Sequence, residues 1–217
     1  MCLNKPSDTS EAPAITLSAE RRGAFGVLDR MKRMLASGQL SDIKFAVGRQ
    51  FGTEKVFPAH KNILCNSSDV FYSMICNSVA ESCPLVIHFP DIPSDAFANL
   101  LSYVYTDSVE DINADTVFPT MHCADKFGLP LLVDTCCAYI TEHLNADNCL
   151  TTLENANRCG SDHVAIVQKC LEIVDASSET ILLSEQFSNM GHDCLMMILQ
   201  RSSLTVNENI VYMAVHK

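Results

Sequence analysis

A short alternating run that gives way to a proline-led turn and helix constrains this chain more than any other stretch. In Ile43-Lys44-Phe45-Ala46-Val47 the apolar residues recur at every second position, the period of a half-buried strand. After Gly48, a loop carrying Gly52 leads to a second short apolar piece, Val56-Phe57. The two pieces read as a hairpin with a longer loop. Pro58 is expected to end the sheet and open a short helix, since proline fits the first helical turn. Ser67 or Ser68 can cap the next helix, in which Val70, Phe71, Met74 and Ile75 share one face.

The rest of the chain alternates between apolar periodicity and punctuation. Residues 1–13 read as a disordered lead, rich in Ser, Thr, Pro and charge. Leu17, Phe25, Leu28, Met31, Met34 and Leu35 then follow at helical spacing, with Ser18 as a possible cap. Leu85-Val86-Ile87-His88-Phe89 is β-rich, and Pro90 stops it. Pro93 opens a helix with Phe97, Leu100, Leu101 and Val104 on one face. A further helix is expected from Ala114, capped by Asn113, with Val117, Met121, Ala124 and Phe127 inward and Gly128 at its end. Pro119 falls inside it and predicts a kink or a late start. Pro130 begins another, with Leu131, Leu132, Cys136, Ile140 and Leu144 inward. Beyond a boundary near Leu144 the sequence is helical throughout. Its stripes are Leu150, Leu153 and Ala156, then Val164, Val167, Cys170, Leu171 and Val174, then Cys194, Leu195, Met197 and Ile198, and last Ile210, Val211, Ala214 and Val215. Paired helices joined by short turns imply an all-α second unit.

Composition excludes several classes of function. Fifteen Lys and Arg against 26 Asp and Glu give a formal net charge of −11, the wrong sign for gripping a phosphate backbone, so no nucleic-acid partner is expected. No apolar run is long enough to span a bilayer and no secretory leader is recognisable, so no membrane role is expected. The 11 cysteines are odd in number and form no CxxC pair. They read as packed thiols in a reducing compartment, cytosolic or nuclear. Cys123 directly follows His122, but neighbours on a helix do not face each other. Cys159 and His163 are separated by a glycine turn, which argues against a shared metal or a nucleophile pair. No phosphate-binding glycine pattern occurs. The expectation is a non-enzyme with no cofactor and no metal. His60, at a strand-to-helix junction, reads as a satisfied structural histidine.

The order Asp42-Ile43-x-Phe45-x-Val47, Phe57-x-Ala59-His60-Lys61-x-x-Leu64, Ser68-x-Val70-Phe71 resembles the BTB (POZ) domain signature. Pro90-Asp91-Ile92, Ala96-Phe97, Leu100-Leu101-x-Tyr103-x-Tyr105-Thr106 continues the match. Leu144-x-Ala146-Asp147-Asn148, Glu185-x-Phe187 and Asn207-Glu208-x-x-Val211-Tyr212-x-Ala214-Val215 resemble the BACK domain, as in BTB–BACK proteins that carry a C-terminal PHR β-domain. The resemblance implies an α+β BTB domain over residues 14–144, a small sheet flanked by helices. It also implies an all-α BACK-like unit over residues 145–217, whole or truncated.

By the same resemblance, the first helix packs across a two-fold dimer interface, placing Phe25, Leu28, Met31, Asp42 and Lys61 at or near it. Asp42 and Lys61 should pair if both are partly buried. Val79-Ala80-Glu81 matches the apolar-x-Glu pattern that meets cullin-3 in related adaptors, which marks Val79 and Glu81 as cullin-binding. The function implied is a non-catalytic, homodimeric adaptor linking an unidentified protein substrate to a cullin-3 RING ubiquitin ligase. The alternative is a BTB dimerisation scaffold or transcriptional co-regulator without ligase function.

Overall fold

A computed structural model describes residues 26–48, 54–77, 85–159 and 163–204. Helix α1 (Val27–Ser37) precedes strands β1 (Ile43–Val47) and β2 (Lys55–Ala59), helices α2 (Lys61–Ser67) and α3 (Asp69–Cys76), and strand β3 (Leu85–Phe89). Helices α4 (Ser94–Thr106), α5 (Val117–Lys126), α6 (Pro130–His143), α7 (Cys149–Arg158) and α8 (Val164–Ala176) follow. The short α9 (Ser178–Leu182) and α10 (Glu185–Ser188) and then α11 (His192–Leu199) complete the described chain. The arrangement is the expected α+β unit followed by helices.

The sheet has the order β2-β1-β3, with β1 antiparallel to β2 and parallel to β3. Ile43, Phe45 and Val47 are buried while Lys44 is exposed, as the alternation requires, but Ala46 on the Lys44 face is buried as well. Pro58 does not end the sheet. It lies within β2, opposite Lys44, and the helix opens later, at Lys61. Because β2 has no described neighbour on its far side, the amide that proline lacks is not missed by the ladder. Pro58 instead supports α1. At Gly38, the left-handed C-cap of that helix (φ 58°), an added Cβ would stand 2.6 Å from the Pro58 Cγ. Glycine is therefore required both by conformation and by contact.

Phenylalanines from five places join the sheet to the helices. Phe45 of β1 lies 5.1 Å from Phe97 of α4, 5.6 Å from Phe89 of β3 and 5.9 Å from Phe71 of α3, centroid to centroid. Phe71 stacks on Phe127 at 4.4 Å. Ser68 locks this cluster from the side. Its Oγ accepts from the Val70 and Phe71 amides, capping α3, and donates to the Phe127 carbonyl at 2.5 Å. Of the two candidate serines, Ser68 is the cap.

Pro119 is accommodated by a late start. Asn113 Oδ1 accepts from the Asp115 and Thr116 amides in a turn, and α5 begins only at Val117. Pro119 is then its third residue, among amides that have no intrahelical acceptor in any helix. In α6 and α8 the expected faces need correction. Leu131 is 67% exposed and Val164 66% exposed. The inward lines are Leu132, Cys136 and Ile140 in α6, and Ile166, Cys170 and Val174 in α8, spaced by fours on one side of each helix. The last expected helix, around Ile210, lies outside the described residues.

One apolar cluster runs from Ile43 through Leu132 and Leu153 to Ile198, so α6 to α11 share a core with the sheet-bearing unit. Polar ties reinforce it. Asn99 of α4 donates to Thr120 of α5 at 3.1 Å, buried. His163 Nε2 lies 3.3 Å from Asp125 Oδ2, joining the start of α8 to α5. After α11, Arg201 grips Asp175 of α8 through two donors, at 3.0 and 2.5 Å, and Ser203 donates to the same carboxylate at 2.8 Å. Hydrogen bonding from Arg201 holds the Asp175 carboxyl below its ordinary range. A depressed carboxyl stabilises the fold above its unfolded pKa, and that contribution is lost as pH falls through the folded value. Asp175→Asn should therefore lower the unfolding free energy at neutral pH by about 1 kcal/mol. The gap from wild type should close as pH drops below the carboxylate range, as checked by urea denaturation across pH.

Candidate interaction surface

Helix α1 is amphipathic, yet none of its residues is buried. Met31, Met34 and Leu35 pack partly against the core, on the side that meets α4. Val27 (60% exposed) and Leu28 (55% exposed) look outward. The helix is well made for so exposed a position. Asp29 Oδ2 accepts the Gly26 amide at 3.2 Å, placing a carboxylate at the positive helix terminus. Lys32 pairs with Glu110, fixing the exposed flank of α1 to the segment after α4.

The turn that follows α1 carries the most exposed large apolar side chain among the described residues, Leu40, at 86%. Its backbone is left-handed, φ 64°, a costly conformation for a leucine. Two contacts impose it. The Ser41 amide donates to the Gly38 carbonyl at 3.1 Å, and the Gln39 carbonyl lies 2.8 Å from His60 Nε2. A carbonyl can only accept, so His60 carries its proton on Nε2. Its other ring nitrogen, Nδ1, then accepts from the Tyr105 hydroxyl at 2.7 Å. The same hydroxyl oxygen accepts the His60 amide at 3.0 Å. Every polar atom in this buried set is satisfied, as burial demands. Burial pushes the Tyr105 phenol up to about 12, so it remains a donor at physiological pH. His60 is thus structural, and what it positions is the turn that presents Leu40.

Asp42 and Lys61 do come together, but not as an ion pair. The exposed Asp42 carboxylate accepts the Lys61 main-chain amide at 2.8 Å. It caps α2 from outside, where the N-cap His60 makes no side-chain cap bond. Leu28 lies exposed on α1 and Met31 packs partly against the core, while the Asp42–Lys61 contact sits at the start of α2. Phe25, Val79 and Glu81 fall outside the described residues. Sequence reasoning passed over Leu40, whose signal was a leucine in a polar turn, Ser37-Gly38-Gln39-Leu40-Ser41. It also passed over the exposed Val56 and Val86 of the sheet.

Nucleophile chemistry finds no support in the most deeply buried thiols. Burial pushes the Cys123 thiol up to about 11, and those of Cys136 and Cys170 up to about 12, where little thiolate exists. His163 contacts Asp125 rather than serving Cys159 as a base. Among the described residues no group of three or more His, Cys, Asp or Glu side chains is placed to hold a metal ion. No described helix is long and apolar enough to cross a membrane.

The family model for the BTB/POZ domain matches residues 31–144. The chain belongs to the BTB/POZ family. It is 34% identical over 187 residues to human BTB/POZ domain-containing protein 6, covering 86% of this chain and 34% of that protein. Zebrafish BTB/POZ domain-containing protein 6-A is likewise 34% identical over 187 residues. Human BTB/POZ domain-containing protein 3 is 32% identical over 188 residues, 87% of this chain and 35% of the relative. The chain spans about a third of the length of the curated relatives it matches. Their alignments are too long to fit within residues 31–144, so the likeness extends past the BTB domain. BTB/POZ domains are protein-interaction modules, typically without catalysis, and an exposed apolar α1 beside a clamped Leu40 suits that role. Tyr105→Phe should leave this BTB domain folded but cost about 1–3 kcal/mol, because the His60 amide and ring nitrogen lose their shared partner. Equilibrium denaturation measures the loss, and an unchanged midpoint would contradict the network.

Proposed function

We propose that this chain is the dimeric, non-catalytic module of an adaptor that links a protein substrate to a cullin-3 RING ubiquitin ligase. The observation that carries the reading is the position of Val79-Ala80-Glu81. It falls between the end of α3 at Cys76 and the start of β3 at Leu85 in a BTB fold. In the cullin adaptors this chain resembles, an apolar residue and a glutamate at that place meet cullin-3. Such a pair suits an interface, since the apolar side chain fills a pocket while the carboxylate sets register at a polar rim.

The other parts of the reading follow from the same fold. The outward residues of α1 and Leu40 meet a second copy of the chain. Helices α7 to α11 act as a BACK-like spacer between the cullin and the substrate. The adaptor works in the cytoplasm or nucleus. It contributes proximity, raising the effective concentration of substrate at the transferring enzyme.

Titration with the cullin-3 N-terminal region, beside a Val79→Asp/Glu81→Lys double variant, tests this. Saturable binding that falls at least about tenfold in the variant, with its mass by light scattering unchanged, is the expected result. No binding by the wild-type chain would overturn the ligase reading and leave a dimerisation scaffold or co-regulator.

A further inference from the structure

The C-terminal turns of α2 and α4 and the start of α6 enclose a groove of about 310 Å³. Asn66 and Ser67 line it from α2, Tyr103 and Asp107 from the end of α4, and Leu129 and Leu131 from the turn into α6. Its floor is apolar, since Val104 and Leu129 are buried there, and Leu131 stands exposed at the rim. The polar part of the lining is negative. Asp107 caps α4 in a left-handed conformation (φ 51°), its amide donating to the Tyr103 carbonyl at 2.8 Å. Both helices reach the groove with their C-terminal turns, the negative end of a helix dipole. The donors that α2 brings are already used within the helix. Asn66 Nδ2 donates to the Asn62 carbonyl at 2.6 Å, and Ser67 Oγ to the Ile63 carbonyl at 2.8 Å. Among the described residues no lysine or arginine lines the groove. Burial first, then the Asp107 and Asp134 carboxylates, hold the Tyr103 phenol above its ordinary range, as a negative local field requires.

We propose that this groove binds an arginine of a protein partner, carried on an extended segment beside an apolar residue. The groove offers acceptors over an apolar floor, so its complement is a side chain with an apolar stem and a head that only donates. Arginine suits it better than lysine. Its planar fork meets a carboxylate through two donors, and it sheds water more readily than an ammonium. The stem lies over Val104 and Leu129, and the guanidinium donates to the Asp107 carboxylate and to the carbonyl end of α2. The neighbouring apolar residue covers Leu131, which gives that exposed leucine a partner. The groove shares no residue with the Leu40 turn or with residues 79–81, and the assignment does not rest on the cullin reading.

The test is an NMR titration of the full isotope-labelled chain with a capped tripeptide that places arginine between two leucines. The control is the same peptide with citrulline, which keeps the shape and loses the charge. The expected result is saturable shifts of the Ser67, Asp107, Leu129 and Leu131 amides, with the citrulline peptide at least about tenfold weaker. Asp107→Asn should weaken the arginine peptide by a similar factor. Asparagine tolerates the left-handed backbone, so this change removes the charge and leaves the cap. Leu131→Ser should weaken it at least about threefold through lost apolar contact. Circular dichroism should be unchanged in both variants, since Leu131 is exposed. No saturable shift at millimolar peptide would overturn the proposal. So would equal binding of the citrulline peptide, or binding that neither substitution weakens.

Discussion

The phenylalanine cluster is the constraint from which the rest of the structure follows. Phe45, Phe71, Phe89, Phe97 and Phe127 come from two strands, two helices and a helix end, and each touches at least two of the others. Tilted and offset rings of this kind add directional preference to a large burial of apolar surface. Fixing them fixes the sheet relative to α3 and α4, and through Phe127 the α5–α6 turn. Ser68 is bonded into the same place, which makes the start of α3 part of the core rather than a neighbour of it. The surface features depend on that rigidity. A turn holding Leu40 in a left-handed conformation persists only because the buried His60 and Tyr105 over-determine it.

Among the described residues, many polar contacts sit at the edges and junctions of the fold. Asp42 caps α2 and Asp29 serves the start of α1. Asp125 meets His163 between the two halves, and Asp175 fastens the residues after α11. The buried thiols are held protonated by their surroundings. Among the described residues, the exposed apolar side chains include Val27 and Leu28 of α1 and Leu40 in the turn beyond it. The formal net charge of −11 repels polyanions.

Much of this was legible in the sequence, for identifiable reasons. Period-two alternation located β1, and the β-rich run located β3. The stripe Phe97, Leu100, Leu101 and Val104 located the buried face of α4. Proline position was harder to read. Whether Pro58 stops a strand or sits in one depends on which strand is an edge, and that is decided by topology, not by neighbours. Leu131 and Val164 were assigned inward because each precedes a true core position by one or two residues, where helical phase is ambiguous from apolarity alone. The Asp42–Lys61 contact was legible as a pair but not as a cap, since the acceptor meets the amide rather than the ammonium. Leu40 could not be recognised, because nothing local tells that a buried histidine will hold its peptide from behind.

The central claim is that α1 and the Leu40 turn form the face through which two copies of this BTB domain associate. Sedimentation equilibrium of the wild-type chain beside a Leu28→Asp/Leu40→Asp variant tests it most directly. Both positions are exposed in the single chain, so the substitutions should leave circular dichroism unchanged. The account predicts a dimer for the wild type and a shift of at least about tenfold toward monomer in the variant. A monomeric wild type at micromolar concentration, or a variant that dimerises as tightly as the wild type, would contradict it.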